Sequence, residues 1–272
     1  MEKTQLDKAK AFQELHRRAG AFVIANAWDG GSARMLTGLG FEAIATSSGA
    51  FAGTLGRRDG KVTRDEALAH SRLIVSVTDL AVAADLENGF GDAPEFVAET
   101  IRLAAQTGLV GGSIEDATGD KDQPIYDIGL ATERIEAAVA AARALPFPFT
   151  LTARSENFLR GRPDLKDTIR RLQAFEKAGA DVLFAPCLPN LAAVREVCSS
   201  LGKPVNFMIG MPGTTYTIAE LAAAGVKRIS VATSLYRAAM NAAVDAAREI
   251  REHGTFTYVE RPASVEINKF ML

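Results

Sequence analysis

The stretch Gly179-Ala180-Asp181-Val182-Leu183-Phe184-Ala185-Pro186 decides how this chain is read. Its glycine stands where the apolar i, i+3, i+4 pattern of 168–178 stops, the place a left-handed residue is wanted just past a helix. The apolar run that follows, Val182–Ala185, is too short for a helix and apolar on both faces, as a buried parallel strand is. The same joint recurs at Gly40 (GFEAIATS), Gly108 (GLVGGSIE) and Gly225 (GVKRISVA). Working outward, strands are expected at Phe22–Asn26, Ala43–Thr46, Leu80–Ala84, Gly112–Glu115, Phe149–Ala153, Val182–Ala185, Val205–Met208 and Arg228–Ala232, with helical spacing between them. The glycine joint precedes every second strand, and the third, fifth and seventh follow different ones (SVTDLAV, LPFPFTL, LGKPVNF), as four paired βαβα units would. Eight βα units fill one (β/α)₈ barrel of TIM type. No Pro/Gly/Ser-rich linker interrupts them, so residues 1–272 are expected to form one barrel domain, with an N-terminal helix at about 5–19 and a tail at about 254–272.

Composition removes several function classes. The 272 residues carry 31 Lys+Arg against 33 Asp+Glu, so no basic excess exists for a nucleic-acid backbone. Two cysteines, Cys187 and Cys198, exclude a disulfide scaffold and a cysteine-rich zinc site. No apolar run is long enough to cross a bilayer, and the polar start MEKTQLDKAK lacks a signal peptide's core, so a cytoplasmic enzyme without membrane partners is expected. The three histidines, His16, His70 and His253, fall in helical segments, which disfavours a histidine triad or metal site. No G-x-G-x-x-G follows the first strand, and GMPG at 210–213 is too short for a nucleotide fingerprint. Thr63 with Glu66, Asp29, Asn190 and Asp92 (before Ala93-Pro94-Glu95) read as helix caps, and the last three are set aside as structural.

In such a barrel the chemistry sits at the C-terminal ends of the strands. Those ends are rich in acids. Asp85 and Glu87 lie two apart and share a side if the strand continues. Glu115 ends the next strand, and Asp59, in the Gly56–Gly60 segment, can reach over from the preceding loop. Four oxygen donors with no histidine suit a hard ion, Mg²⁺ or Mn²⁺, better than zinc. The alternative is that they pair with Arg57, Arg58 and Arg154 without metal. Arg154, ending the fifth strand, can grip an anionic substrate in two places or bridge to Glu115 or Glu156. Ser47-Ser48-Gly49 offers amides and hydroxyls to a second anionic oxygen, or is simply turn chemistry.

The series NAWDGGSARML, ATSSGAFAGTLGRRDG, AADLENGFGD, GSIEDA and LTARSENF resembles the isocitrate lyase/phosphoenolpyruvate mutase superfamily over residues 20–240. The resemblance implies a barrel whose last helix is swapped between subunits of a homotetramer, a dimer of dimers. It also implies Mg²⁺ and a small anionic 2-oxo-acid substrate that reacts through an enolate. Asp85 matches the direct metal ligand, while Asp59, Glu87 and Glu115 match acids that hold the metal mostly through water. Ser48, Gly49 and Ala50, with Ser47 before them, match the substrate-oxygen segment; Arg154 matches the anion-binding arginine, and Asn206 a polar group of the lyases' seventh strand. Ser48, Asp59 and Arg154 are the residues expected at the reacting atoms.

Two departures shape the functional expectation. The loop after the fourth strand, Ala117–Asp127, lacks the cysteine-bearing Lys-Lys/Arg-Cys-Gly-His motif of the lyases and the Asn-Ser-Leu stretch of the mutases. The sixth strand ends Ala185-Pro186-Cys187 where lyases place a glutamate. The expectation is therefore a Mg²⁺-dependent lyase or decarboxylase that cleaves the C–C bond beside the oxo group of a small 2-oxo (di)carboxylate. Isocitrate or methylisocitrate lyase of the usual type is not expected. The alternatives are a C–P bond enzyme of mutase or phosphonopyruvate hydrolase type, and a non-catalytic 2-oxo-acid binding protein. Segment 117–130 is expected to close over the site, with Gly119 and Gly129 as hinges and Lys121, Asp122 or Tyr126 as the replacement acid.

Overall fold

The computed structural model describes residues 3–210, 215–260 and 267–271. Eight strands form a closed, all-parallel barrel in sequence order: β1 (Phe22–Ala27), β2 (Ala43–Thr46), β3 (Ala81–Asp85), β4 (Gly111–Glu115), β5 (Thr150–Arg154), β6 (Val182–Phe184), β7 (Val205–Met208) and β8 (Arg228–Ser230). The ring closes where Phe22 pairs with Arg228 and Ile24 with Ser230. The four glycines that suggested this count take φ of +86° (Gly40), +96° (Gly108), +102° (Gly179) and +96° (Gly225), each just after a helix. The expected strands shift by no more than two residues at either end. Asp85 and Arg154 join β3 and β5 as their last residues, while Ala185 and Val231–Ala232 fall outside β6 and β8.

The helices are α1 (Gln5–Arg17), α2 (Gly30–Gly38), α3 (Ser48–Thr54), α4 (Arg64–Ser76), α5 (Pro94–Gln106), α6 (Ile128–Arg143), α7 (Leu165–Lys177), α8 (Leu191–Ser199), α9 (Ile218–Ala223) and α10 (Ser234–His253). α1 closes the N-terminal end of the barrel: its Ala9, Phe12 and Leu15 are buried in one cluster with Phe22, Ile24, Ala43 and Ala81. Capping follows the side-chain chemistry. Thr63 and Asp29 make reciprocal capping boxes with Glu66 and Ser32, and Asn190 accepts from Ala193 N. Asp92 is a correction: the cap residue of α5 is Ala93 without a side-chain bond, and the Asp92 carboxylate accepts instead from Tyr126 Oη at 2.6 Å.

Two segments that follow strands take their form for local reasons. Ser48–Thr54 forms α3, where turn chemistry was the alternative for Ser47-Ser48-Gly49, because the Ser47 hydroxyl accepts from Ala50 N and caps its first turn. Gly129 is no hinge, since it lies in the first turn of α6 with its amide bonded to Asp127 Oδ1 at 2.8 Å. Gly119 does take a left-handed φ of +82°, within a segment where Ala117 bridges antiparallel to Ile125.

No residue of α10 is buried, and Met240, Val244 and Ile250 are exposed on one side of it. After α10 the chain returns to its own barrel, with the Phe270 ring lying against Gly38 of α2. Of the tail expected at 254–272, residues 261–266 and Leu272 lie outside the described residues, as do positions 211–213 of the GMPG stretch. None of the described helices is long and apolar enough to cross a membrane.

Arg134 of α6 fixes the β3–α5 segment. Its buried guanidinium donates to the carbonyls of Asn88, Gly91 (2.7 Å) and Asp92 and stacks 4.2 Å over the Tyr126 ring. Arg134→Met removes all three donors at once. It is expected to cost about 3 kcal/mol in urea unfolding, against roughly 1 kcal/mol for Tyr126→Phe. Equal stability of Arg134→Met and wild type would contradict this role.

Candidate active site

A cavity of about 200 Å³ opens at the C-terminal ends of the strands and runs down into the barrel. Ser48, Asp59, Asp85 and Arg154 line it near the strand ends, and Thr152, Asn206 and Arg228 line it further down. Depth comes from small inward side chains at Ala45, Ala83, Ser113 and Ser230.

Arg154 is the electrostatic centre of the mouth. Its Nε lies 2.5 Å from Glu156 Oε1, and its Nη1 lies 3.2 Å from Glu115 and 3.8 Å from Asp85. Arg160 completes the arrangement, bonding Glu115 at 3.0 Å and Glu156 at 3.1 Å. Glu156 is fully buried, so its charge is tolerable only with these partners. The expectation named Glu156 merely as one bridge partner of Arg154 and missed Arg160, although the Glu156–Arg160 spacing of four is a pairing signal. Arg57 instead pairs with Glu66, and Arg58 makes no ion pair among the described residues.

Three acids remain without an ion pair as close as Glu115's. Asp85 accepts from Ser48 Oγ at 3.0 Å and from Ser48 N at 3.3 Å, which ties β3 to the start of α3. Asp59 lies close over Gly49: a Cβ there would come 3.2 Å from its carboxyl carbon and 3.1 Å from Thr233 Cγ2, so any larger residue would have to push these neighbours aside. Glu87 does not continue the strand; β3 ends at Asp85 and Glu87 takes a left-handed φ of +48°. It still meets the other two electrostatically. Burial, then Asp85 and Asp59, push its carboxyl up to about 8. Burial and then Glu156 push Glu115 in the same direction.

This donor set, all carboxylate oxygen, fits a hard divalent cation. Among the described residues no three metal-binding side chains are close enough together to enclose an ion unaided. Such a cation would therefore keep water in its shell, which suits Mg²⁺.

The remaining candidates are placed as follows. The Ser47 hydroxyl is used as a cap, Ala50 is buried behind it, and Gly49 lines the cavity. Asn206 is buried with both ends of its amide engaged, accepting from Arg228 Nε at 2.8 Å and donating to Ser230 Oγ at 3.0 Å. Tyr126 is excluded as the loop acid: its hydroxyl bonds Asp92 and Asn88, and burial pushes it up to about 12. Lys121 and Asp122 are exposed at the loop tip, and Lys121 lines an outer cavity with Glu87 and Glu115. His16 is buried under the barrel, held near 3 by burial and then Arg228. His70 stacks on Phe51 and its Nε2 bonds the Trp28 carbonyl at 2.9 Å just past β1, so, unlike the expectation, it does reach the strand ends, behind Ser47, Ser48 and Asp85. Half-buried Cys187 follows β6, where burial and then Glu156 raise its thiol.

Against this geometry the similarities to known proteins can be weighed. The crystal structure of a lyase/mutase from Burkholderia cenocepacia J2315 superposes with TM-score 0.96 at 54% identity, covering 98% of this chain and 96% of that one. A 2-methylisocitrate lyase of Escherichia coli (strain K12) is 30% identical over 254 residues, 90% of this chain and 85% of its own. An uncharacterised protein of Mycobacterium tuberculosis (strain ATCC 25618 / H37Rv) is 32% identical over 243 residues, 89% of each chain. The phosphoenolpyruvate phosphomutase family model matches residues 12–251, which spans every strand of the barrel and each acid at its mouth. The chain belongs to that family of lyases and mutases.

Proposed function

We propose that this protein cleaves the C–C bond beside the oxo group of a small 2-oxo (di)carboxylate, with Mg²⁺ or Mn²⁺ as cofactor. The observation that carries the reading is the pair Asp59 and Asp85 beside the Ser48 hydroxyl in one cavity, close enough to Glu87 to push its carboxyl up. Among the described residues no arginine is nearer to Asp85 than Arg154 at 3.8 Å. The similarity to a 2-methylisocitrate lyase supports the lyase class. A C–P bond enzyme is the second reading, favoured by the phosphomutase family model. A binding protein without turnover is the third.

Asp85 would hold the cation directly, with Asp59, Glu87 and Glu115 acting mostly through water. The bound cation supplies a Lewis acid for the substrate's oxo and carboxylate oxygens. Ser48 and the Gly49 amide would stabilise charge on the oxo oxygen as the bond breaks, since amides fixed before the reaction need no reorganisation. Ser47 and Ala50 hold that turn in shape. Arg154, already aimed by Glu115 and Glu156, would grip the departing or distal anionic group. Of the loop's two remaining candidates for protonating the departing carbon, Lys121 and Asp122, Lys121 is the one that lines the outer cavity with Glu87 and Glu115. The exposed apolar side of α10 supports a swapped last helix in a homotetramer.

Oxaloacetate, methylisocitrate, phosphonopyruvate and phosphoenolpyruvate, each with and without Mg²⁺, form the direct test, with pyruvate as readout. C–C cleavage of a 2-oxo acid is expected, with EDTA and Asp85→Ala each lowering kcat/KM at least 100-fold. Turnover indifferent to both would overturn the metal reading. Lys121→Met should lower kcat about tenfold or more with little change in KM, as loss of a proton donor predicts.

The acid cluster also predicts a pH dependence of stability. The folded state holds a proton on Glu87 that the unfolded chain releases near the ordinary value of 4.5. Its stabilising contribution is complete below that value and is lost as pH rises toward about 8. The Tm in EDTA should therefore fall across that window, Mg²⁺ should restore it at the alkaline end, and Glu87→Gln should flatten the profile. A wild-type profile identical to that of Glu87→Gln would contradict the assignment.

A further inference from the structure

Arg228 opens β8, yet its side chain crosses the barrel interior. Its Nη2 donates to Thr152 Oγ1 of β5 at 2.9 Å, and its Nε to Asn206 Oδ1 of β7 at 2.8 Å. The residue is 6% exposed. No carboxylate lies within ion-pair distance of it among the described residues. In this it differs from buried Arg154 and Arg171, each of which meets two or more acids. Burial alone draws its guanidinium down to about 9, with no acid acting against that. His16, which feels the Arg228 charge, is held near 3 mainly by burial and offers no counter-charge. Thr152 and Asn206 thus aim the planar fork without neutralising it, and the fork borders the cavity that opens at the acid cluster.

A buried cation with neutral hydrogen-bond partners and open space beside it is the arrangement of an anion receptor. We propose that Arg228 forms an oxyanion subsite at the floor of the cavity and takes the substrate's carboxylate or phosphonate group remote from Asp85 and Ser48. The subsite rests on the reading of the mouth as the 2-oxo-acid end. It makes Arg228 the residue that selects substrates with two anionic ends, with Thr152 and Asn206 positioning it. The ligand class is then an extended dianion, because a short monoacid held at the mouth leaves the floor charge unpaired.

Calorimetric titration of the full-length protein in EDTA with acetate, succinate and methylphosphonate tests this without turnover. Succinate or methylphosphonate should bind and raise the Tm, and the tighter of the two identifies the natural group. Arg228→Met, close in volume, should weaken that binding at least tenfold, and Arg228→Lys by less. Asn206→Asp supplies the missing counter-charge in the same shape and should abolish it, which keeps the test decisive if Arg228→Met fails to fold. Binding unchanged in Arg228→Met or Asn206→Asp, or absent from wild type, overturns the subsite. The two readings fail separately. Anion binding lost with Arg228, but no turnover of any 2-oxo acid, overturns the lyase and leaves the subsite. Turnover whose KM for diacids ignores Arg228 does the reverse.

Discussion

The mouth of this barrel is organised by a shortage of positive charge. Two guanidiniums, Arg154 and Arg160, face Glu115, Glu156, Asp85, Glu87 and Asp59. Unpaired charges are costly in a poorly solvated interior, so the arginines go where burial is deepest, between Glu115 and Glu156. That choice fixes the orientation of Arg154 and ties the ends of β4 and β5 together. Asp116 reinforces the tie, accepting from Glu156 N at 2.7 Å and pairing with Arg171 at 3.1 Å. The deficit falls on the β2–β3 side, where Asp59, Asp85 and Glu87 are left to repel one another. The site therefore has two sides, one closed by ion pairs and one open to a cation.

The interior follows a second constraint. A TIM-type barrel normally fills its centre with layers of branched side chains. Here Ala45, Ala83, Ser113 and Ser230 leave the upper centre hollow, while Phe12 and Leu15 of α1 seal the lower end. The long Arg228 side chain spans the boundary between the sealed and hollow parts. Packing thus sets how deep a ligand can reach, and the acids set which end of it faces the solvent.

Much of this was legible in the sequence because it depends on local rules. A glycine after each of four helices needs only the left-handed φ of a helix end, and all four positions adopt it. Period and length placed the strands, and Asp59, Asp85, Glu87, Glu115 and Arg154 do gather at one mouth. What failed depended on contacts between distant segments. Asp92 looks like a cap by spacing, but Tyr126 and Arg134 hold it from 34 and 42 residues away. Glu87 reaches the cluster through a left-handed turn that alternation does not foresee. Arg160 shows its spacing of four to Glu156 in the sequence but not its bond to Glu115, and nothing in the sequence marks Arg228, whose lack of an acid among the described residues follows only from closure of the ring.

The loop after β4 shows how one frame can serve different reactions. Its root is fixed: Tyr126 is pinned between Asp92, Asn88 and Arg134, and Asp127 caps α6. Its tip, Gly119 to Gln123, is exposed apart from the bonds Thr118 makes to Asp120 and Gln123. Changes at the tip therefore cost little stability, whereas changes at the root would release the β3–α5 segment that carries Glu87. The root thus holds the segment that carries Glu87, while the tip can change without disturbing it. On the proposed reading, the absent lyase cysteine marks a different proton donor on an unchanged frame.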